Sequence, residues 1–495
     1  MNRQETEFHS VAEAVLTHAA QHPHKLCLVD DYGTVTYGEY ADKILRLATV
    51  LAEEGFHSDD RVVAEASQRI DFLALEFALQ ILGAVFVPVE HNCSADKMNN
   101  FAKKCEAKGL ISQKEVSSDA AITATLDKLV SRSESAEPYT VKAYPEPDKL
   151  SSILFSTGTT GTEKGIVLTH ENDVALCENV IFGVNMQEDN VEFILSPFNH
   201  SHGLRRYYAD MYMGATVVMQ ESVFNVKHLF QCMDAYGVNS MDMVPAALAV
   251  VLRLTGSKLG LYQTQLRYLQ FGGAPIPQES KNALKTLLPH TRLMNGYGST
   301  ESGISSFYDF NTPHEKENCI GKPSVNAEIF FVDENKHPIK ADKSTPGFLA
   351  CRGRFNMKGY WEDEEETARV LLDGVIYSND VAYPDEDGDI ILLGRKGDVI
   401  NIGGKKVSPT EIEDTARDIA GIADCACIGI PHKEKGSEPK LFVQMAAGHL
   451  FDAAAIRKQL AGKLEPYKVP VFIVKIDRIP RTYKGSLQRN LLQNL

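Results

Sequence analysis

Between two apolar runs, Ile153-Leu154-Phe155 and Ile166-Val167-Leu168, stands Ser156-Thr157-Gly158-Thr159-Thr160-Gly161-Thr162-Glu163-Lys164-Gly165. These are residue types that hold phosphate. Glycines permit a tight turn whose backbone N–H groups converge on phosphate oxygens, and hydroxyls and an ammonium add donors. The segment is not a Walker A loop, since residue 163 is Glu where that motif has Gly before its Lys. A polar hairpin tip has the same composition, so the segment alone does not decide. A second concentration of chemistry is His200-Ser201-His202 with Arg205 and Arg206 close behind. Two histidines at i, i+2 with no third ligand nearby read as a polar pocket wall rather than a metal site. One of Arg205 and Arg206 could face a second carboxylate or polar acyl group, but a solvated helix end or a salt bridge is the plainer reading.

The elements that carry these residues alternate. Helical stripes such as Tyr40, Ile44, Leu47, Leu51 interleave with short β-rich runs: Arg61-Val62-Val63, Ala84-Val85-Phe86-Val87, Phe193-Ile194-Leu195, Thr216-Val217-Val218-Met219. That alternation predicts parallel sheets covered by helices, an α/β fold. From about residue 324 the texture turns to strands and turns, including Ala327 to Val332, Gly347 to Ala350 and Asp389 to Leu393. Gly394-Arg395-Lys396-Gly397-Asp398 then reads as a hinge. Beyond it, stripes at Ile412, Ala416, Ile419 and at Ile456, Leu460, Leu464, with strands near 441–443 and 471–474, predict a small α+β domain. The expected division is 1–395, with a β-rich subdomain at about 324–395, and a mobile domain at 396–495.

Composition bounds the function. With 495 residues, 51 Lys+Arg against 66 Asp+Glu and a net charge of −15, the chain lacks the basic field of a general nucleic-acid binder. The start is polar, and the longest apolar stretch, Phe77 to Val89, is interrupted by Gln80, Gly83 and Pro88. Neither a signal peptide nor a membrane span is expected. Nine scattered cysteines, with Cys425 and Cys427 the close pair, read as buried thiols in a reducing cytoplasm.

Six further segments give the glycine-rich loop its context: Thr36-Tyr37-Gly38-Glu39-Tyr40; Phe198-Asn199-His200-Ser201-His202-Gly203; Gly272-Gly273-Ala274-Pro275; Asn295-Gly296-Tyr297-Gly298-Ser299-Thr300-Glu301; Gly359-Tyr360-Trp361 with Tyr377-Ser378-Asn379-Asp380; and Gly394 to Asp398 running on to Gly403-Gly404-Lys405-Lys406-Val407-Ser408-Pro409. In this order they resemble the adenylate-forming superfamily of acyl-CoA synthetases, peptide-synthetase adenylation domains and luciferases, over nearly the whole chain. The chain is most like an acyl-CoA synthetase. The resemblance implies attack of a carboxylate on the α-phosphate of ATP with release of pyrophosphate, assisted by Mg²⁺, followed by acyl transfer to CoA. A free-standing enzyme loading the phosphopantetheine of a carrier protein in trans is the nearest alternative. An acyl-adenylate-binding protein with little turnover is another. The chain stops six residues after Arg489, so no fused carrier is expected.

By resemblance, Thr157, Gly158, Thr159, Thr160, Gly161 and Lys164 hold the β/γ-phosphates. Thr300 bonds the α-phosphate and Glu301 helps hold Mg²⁺. Gly273, Ala274, Asn295, Gly296 and Gly298 border the nucleotide, and Tyr297 stacks on adenine. Asp380 accepts the ribose hydroxyls with Arg395 beside it. Lys406 meets the α-phosphate in the thioester-forming state, Gly397 is the hinge, and Gly403-Gly404 line the thiol's tunnel. The acyl pocket falls on His200, Ser201, His202, Arg205 and Gly272. Amino-acid-activating relatives carry Asp at the position of Ser201, which argues against an α-amino acid as substrate. One departure is large. The pattern Pro480-Arg481-Thr482-Tyr483-Lys484-Gly485-Ser486 puts Ser486 where the family has its catalytic lysine, and a lysine stands two residues earlier, at Lys484.

Overall fold

The computed structural model describes residues 8–157, 163–403, 405–481, 487–493 and 495. Its largest sheet has fourteen strands and changes character along its width. Strands Leu26–Val29, Thr216–Met219, Val191–Ile194, Ser240–Met243, Tyr268–Phe271 and Arg292–Ser299 run parallel, in that spatial order. Gly303–Asp309 then folds back on Arg292–Ser299, and from there the sheet is antiparallel through Cys319–Pro323, Ile390–Arg395, Val375–Pro384, Gly347–Arg352 and Glu328–Val332. The strand-rich region from about residue 324 is therefore hydrogen-bonded onto the large sheet rather than standing apart from it.

A second sheet of seven strands has Glu163–Thr169 paired antiparallel to Leu150–Thr157 near one edge, with Gly359–Tyr360 added outside. Helices fill the space between the sheets. Every residue of the helix Ile70–Ile81 except Asp71 is buried, which explains why Ile-Asp-Phe-Leu-Ala-Leu-Glu-Phe-Ala-Leu-Gln-Ile is apolar almost all round. Its first N–H groups need a partner from outside the helix, and Ile70 N donates to Asp30 Oδ2 at 2.9 Å. The apolar run from Phe77 to Val89 is thus a helix end, a turn at Gly83 (φ +74°) and a buried strand, Val85–Val89. The Thr36-to-Tyr40 motif is a capping box that starts the helix Tyr37–Glu53: Glu39 N donates to Thr36 Oγ1, and Thr36 N to Glu39 Oε2.

The chain from Ile400 onward makes a separate five-stranded sheet with its own core of Ile412, Ala416, Leu441, Val443, Ile456 and Leu460. All nine cysteines are free and buried. Among the described residues no helix is long and apolar enough to cross a membrane.

Candidate active site

The glycine-rich segment forms a hairpin whose stems are described and whose tip is not. Thr157 pairs with Glu163 and Ser156 with Lys164, while Gly158, Thr159, Thr160 and Gly161 lie outside the described residues. At the foot of the hairpin Lys164 Nζ donates to Glu366 Oε1 at 2.5 Å and sits 5.1 Å from the centre of the Tyr360 ring. Tyr360 Oη in turn donates to Glu301 Oε1 at 2.9 Å. Burial and the neighbouring Glu301 carboxylate hold the Tyr360 phenol well above its ordinary range, so it stays a donor. Glu366 is held in place by its own backbone, because Glu366 N is capped by Asp363 Oδ1 at 3.0 Å. Lys164, Tyr360, Glu301 and Glu366 are therefore one cluster of alternating charge and donors.

The second cluster grows from the place where the large sheet changes from parallel to antiparallel. Asn295, Gly296, Tyr297 and Gly298 end the last parallel strand, and Thr300 and Glu301 lie in the turn that follows. Gly298 is required by close approach, since a Cβ there would lie 1.7 Å from the Gly303 carbonyl oxygen. Ser302 N donates to Ser299 Oγ at 3.1 Å and tightens the turn. Tyr297 Oη donates to Asp380 Oδ2 at 2.5 Å, and Arg395 Nε lies 3.5 Å from Asp380 Oδ1. Burial first, then the Asp380 carboxylate, pushes the Tyr297 phenol up. The expected adenine-stacking tyrosine thus also fixes the expected ribose acceptor.

The third cluster is the expected acyl wall. His200 caps the helix Ser201–Met213 and Ser201 opens it. His202 lies against Gly272, where a Cβ would be 2.6 Å from His202 Cε1. Gly273, with φ +78°, turns the chain toward Ala274. His202 Nε2 is 2.9 Å from Asp242 Oδ2, in the adjacent strand Ser240–Met243. Segments 195–200, 244, 272–275 and 300–302 follow the carboxyl ends of strands, which is where open α/β sheets bind ligands. Two surface clefts, one bordered by Leu16, Ala41, Tyr139 and Tyr144 and the other by Asn185, Arg267 and Arg292, contain none of the expected site residues.

Arg205 requires a correction. It is buried facing the helix His170–Val184, with Nε 3.4 Å from Asp173 Oδ1 and Nη2 donating to Asn172 O at 3.3 Å. Its partner Asp173 is pushed up to about 6, mainly by burial. The resemblance puts Arg205 in the acyl wall, but the structure engages it in an ion pair inside the core. Arg206 is likewise paired, with Glu192 at 2.5 Å.

In the small domain Lys406 is exposed on the strand Lys405–Val407 opposite Asn401, and makes no ion pair with a described residue. It is not brought to Thr300 or Asp380. Gly397 lies in a turn closed by Asp398 N donating to Arg395 O at 2.8 Å. Its backbone is not left-handed. Gly394, with φ +126°, and Gly403, with φ +60°, are the positions here that need glycine. Gly404, Lys484 and Ser486 lie outside the described residues.

Three residues of these clusters carried no assigned role in the sequence. Tyr360 stood in a quoted motif without one. Glu366 sits in the run Glu364-Glu365-Glu366, where nothing distinguishes the third carboxylate. Asp242 had a signal that was passed over, a charge between Met241 and Met243 in a strand.

The chain matches known proteins over most of its length. Residues 15–361 match the family model described as AMP-binding enzyme, and residues 411–486 match the AMP-binding enzyme C-terminal domain. The chain is 28% identical over 476 residues to a feruloyl-CoA synthase from Amycolatopsis, covering 95% of each chain. It is 26% identical over 484 residues to a 2-succinylbenzoate–CoA ligase from Listeria innocua, covering 95% of this chain and 96% of that one. ATP-bound MatB from Rhodopseudomonas palustris superposes with a TM-score of 0.86 at 23% identity over 98% of both chains. The o-succinylbenzoate-CoA synthetase MenE from Bacillus subtilis, solved with its acyl-adenylate, gives 0.83 at 22% identity over 97% of both. With its glycine-rich hairpin, its Tyr297–Asp380–Arg395 cluster and both family models in order along it, the chain belongs to the AMP-binding enzyme family.

Proposed function

We propose that this protein is an ATP-dependent acid–thiol ligase. It converts a carboxylic acid other than an α-amino acid into an acyl-adenylate, then passes the acyl group to CoA. The observation that carries this reading is the fixed carboxylate of Asp380, held between Tyr297 and Arg395. An oriented anion whose other neighbours are donors is suited to the paired hydroxyls of a ribose.

The first step forms a bond between a carboxylate oxygen and the α-phosphorus and breaks the bond to the bridging oxygen of pyrophosphate. Negative charge moves onto the leaving group, so the chain's contribution is positioned donors. By the family resemblance Lys164 and the donors of the glycine-rich segment serve that charge, and Thr300 serves the α-phosphate. Glu301 offers a hard oxygen ligand suited to Mg²⁺, which supplies charge neutralisation when bound. In the second step the thiol sulfur attacks the acyl carbonyl, its proton is lost to solvent, and AMP leaves. Ser201 offers no anion for an α-ammonium group. The acceptor is read as CoA from the named activities of the relatives.

The test is product analysis over a panel of aliphatic, aromatic and dicarboxylic acids with ATP, Mg²⁺ and CoA. Acid-dependent AMP, pyrophosphate and CoA thioester in equal amounts are expected. AMP and pyrophosphate with no thioester would exclude CoA as acceptor and favour a carrier protein. ADP as product would exclude the reading.

A further inference from the structure

Lys164 and Glu366 make the ion pair at the foot of the hairpin, and the surrounding structure is held together without it. In a strand, successive side chains point to opposite faces. On one face of the stem Glu163 lies 3.4 Å from Lys97 Nζ and 3.7 Å from Lys104 Nζ, both on the helix Ala95–Lys104. On the other face Lys164 meets Glu366. The stem is thus tethered to its neighbour through Glu163 whether or not Lys164 is held. The helix Glu364–Val370, which carries Glu366, buries none of its residues. Asp363 Oδ1 caps Glu366 N, and Thr367 Oγ1 accepts from Tyr360 N at 2.8 Å and donates to Asp363 O at 2.7 Å. The Glu366 side chain takes part in neither anchor.

What that side chain does is occupy the ammonium of Lys164, the group that the family resemblance assigns to the β/γ-phosphates. An ammonium is a compact charge on a flexible stem, and carboxylate and phosphate oxygens are the same kind of partner for it. The two side chains are 21% and 22% exposed, so water reaches the pair and lowers its net worth. Glu366 is not left alone when Lys164 turns away, because its second oxygen lies 3.3 Å from Arg369 Nη1. Replacing one anion by another at Lys164 therefore costs little, and the more highly charged anion wins.

We propose that Glu366 competes with phosphate for Lys164, so that ATP, and pyrophosphate after it, must each take the ammonium over from this carboxylate. Both are held less tightly as a result, and pyrophosphate leaves sooner. This rests on the acid–thiol ligase reading and adds to it a residue that sets nucleotide affinity by acting through Lys164.

Calorimetric titration with ATP and Mg²⁺, without acid, reads that affinity directly. Glu366→Gln keeps the shape and removes the charge, and should bind ATP about three- to fivefold more tightly, the range of a partly screened ion pair. Pyrophosphate should inhibit this variant at a correspondingly lower concentration. Its KM for ATP should fall with no rise in kcat, because ground state and transition state gain alike, and its melting temperature should hold. Glu365→Gln is the control: that carboxylate is on the same turn, 81% exposed, and pairs with Arg369. It should leave ATP affinity unchanged. Unchanged affinity in Glu366→Gln overturns the proposal and makes the ion pair purely structural. Weaker binding overturns it in the other direction, since Glu366 would then hold Lys164 toward the phosphates. An equal gain from Glu365→Gln overturns it in favour of a general effect of charge. Each of these three results leaves the ligase reading standing. The Glu366→Gln gain without acid-dependent pyrophosphate release overturns the ligase reading and supports the competition at Lys164. No binding of ATP by the wild-type protein overturns both.

Discussion

Ser486→Lys is expected to raise acyl-adenylate formation about 10²–10³-fold, the range seen when one electrostatic donor to a reacting group is gained or lost. The reasoning starts from the ends of the segment. Arg481 pairs with Leu487 as an antiparallel bridge, and its guanidinium contacts Asp424 through Nε and Nη2, each at 2.8 Å. Arg489 donates to Glu413 at 2.7 Å and to Cys427 O at 3.1 Å, and lies 3.5 Å from Asp398 in the hinge turn. Arg481, Leu487 and Arg489 are therefore anchored, and the family resemblance puts the lysine position at Ser486. A hydroxyl carries no charge to bridge an attacking carboxylate and an α-phosphate. Single-turnover formation of acyl-AMP checks the gain, and Lys484→Ala should cost little. Thioester formation from supplied acyl-AMP should change much less in both variants. No gain from Ser486→Lys together with collapse on Lys484→Ala would assign the role to Lys484.

Asp380→Ala should weaken ATP binding by about 10–100-fold, measured by titration calorimetry. A charge-assisted hydrogen bond is worth roughly 1.5–3 kcal/mol, and the ribose would lose such bonds to a carboxylate already held in place. The fold should survive, since Arg395 is 61% exposed and the Tyr297 hydroxyl has Ser378 close by. Tyr297→Phe should give a smaller loss in the same direction, because it frees Asp380 without removing it. ATP affinity unchanged in a folded Asp380→Ala protein would take Asp380 out of the site.

Much of this site was legible as an ordered series of motifs, and its geometry was not. The helix carrying Tyr40, Ile44, Leu47 and Leu51 and the strands near 61–63, 84–87, 193–195 and 216–219 follow from local pattern and periodicity. Gly298 followed from its motif, and the structure supplies the reason, a carbonyl oxygen with no room for a Cβ. Arg205 differs from its place by resemblance because a motif does not say which neighbour claims a charge. Asp173 does, from a helix some thirty residues earlier. Glu366 and Lys164 are about two hundred residues apart and meet because Gly359–Tyr360 adds to the edge of the hairpin sheet. No local signal carries that. Gly397 is the hinge by its position in the family pattern, and the left-handed backbone of this turn is at Gly394.

The central claim is that this chain makes an acyl-adenylate. Pyrophosphate–ATP exchange, run with each acid of the panel and without CoA, tests it most directly, because exchange needs a reversible bond between the acid and AMP and nothing from the second step. The account predicts exchange that depends on one class of acid, is abolished in Asp380→Ala at low ATP, and rises in Ser486→Lys. Exchange that proceeds without acid, or its absence from both the wild-type protein and Ser486→Lys with every acid, would contradict it.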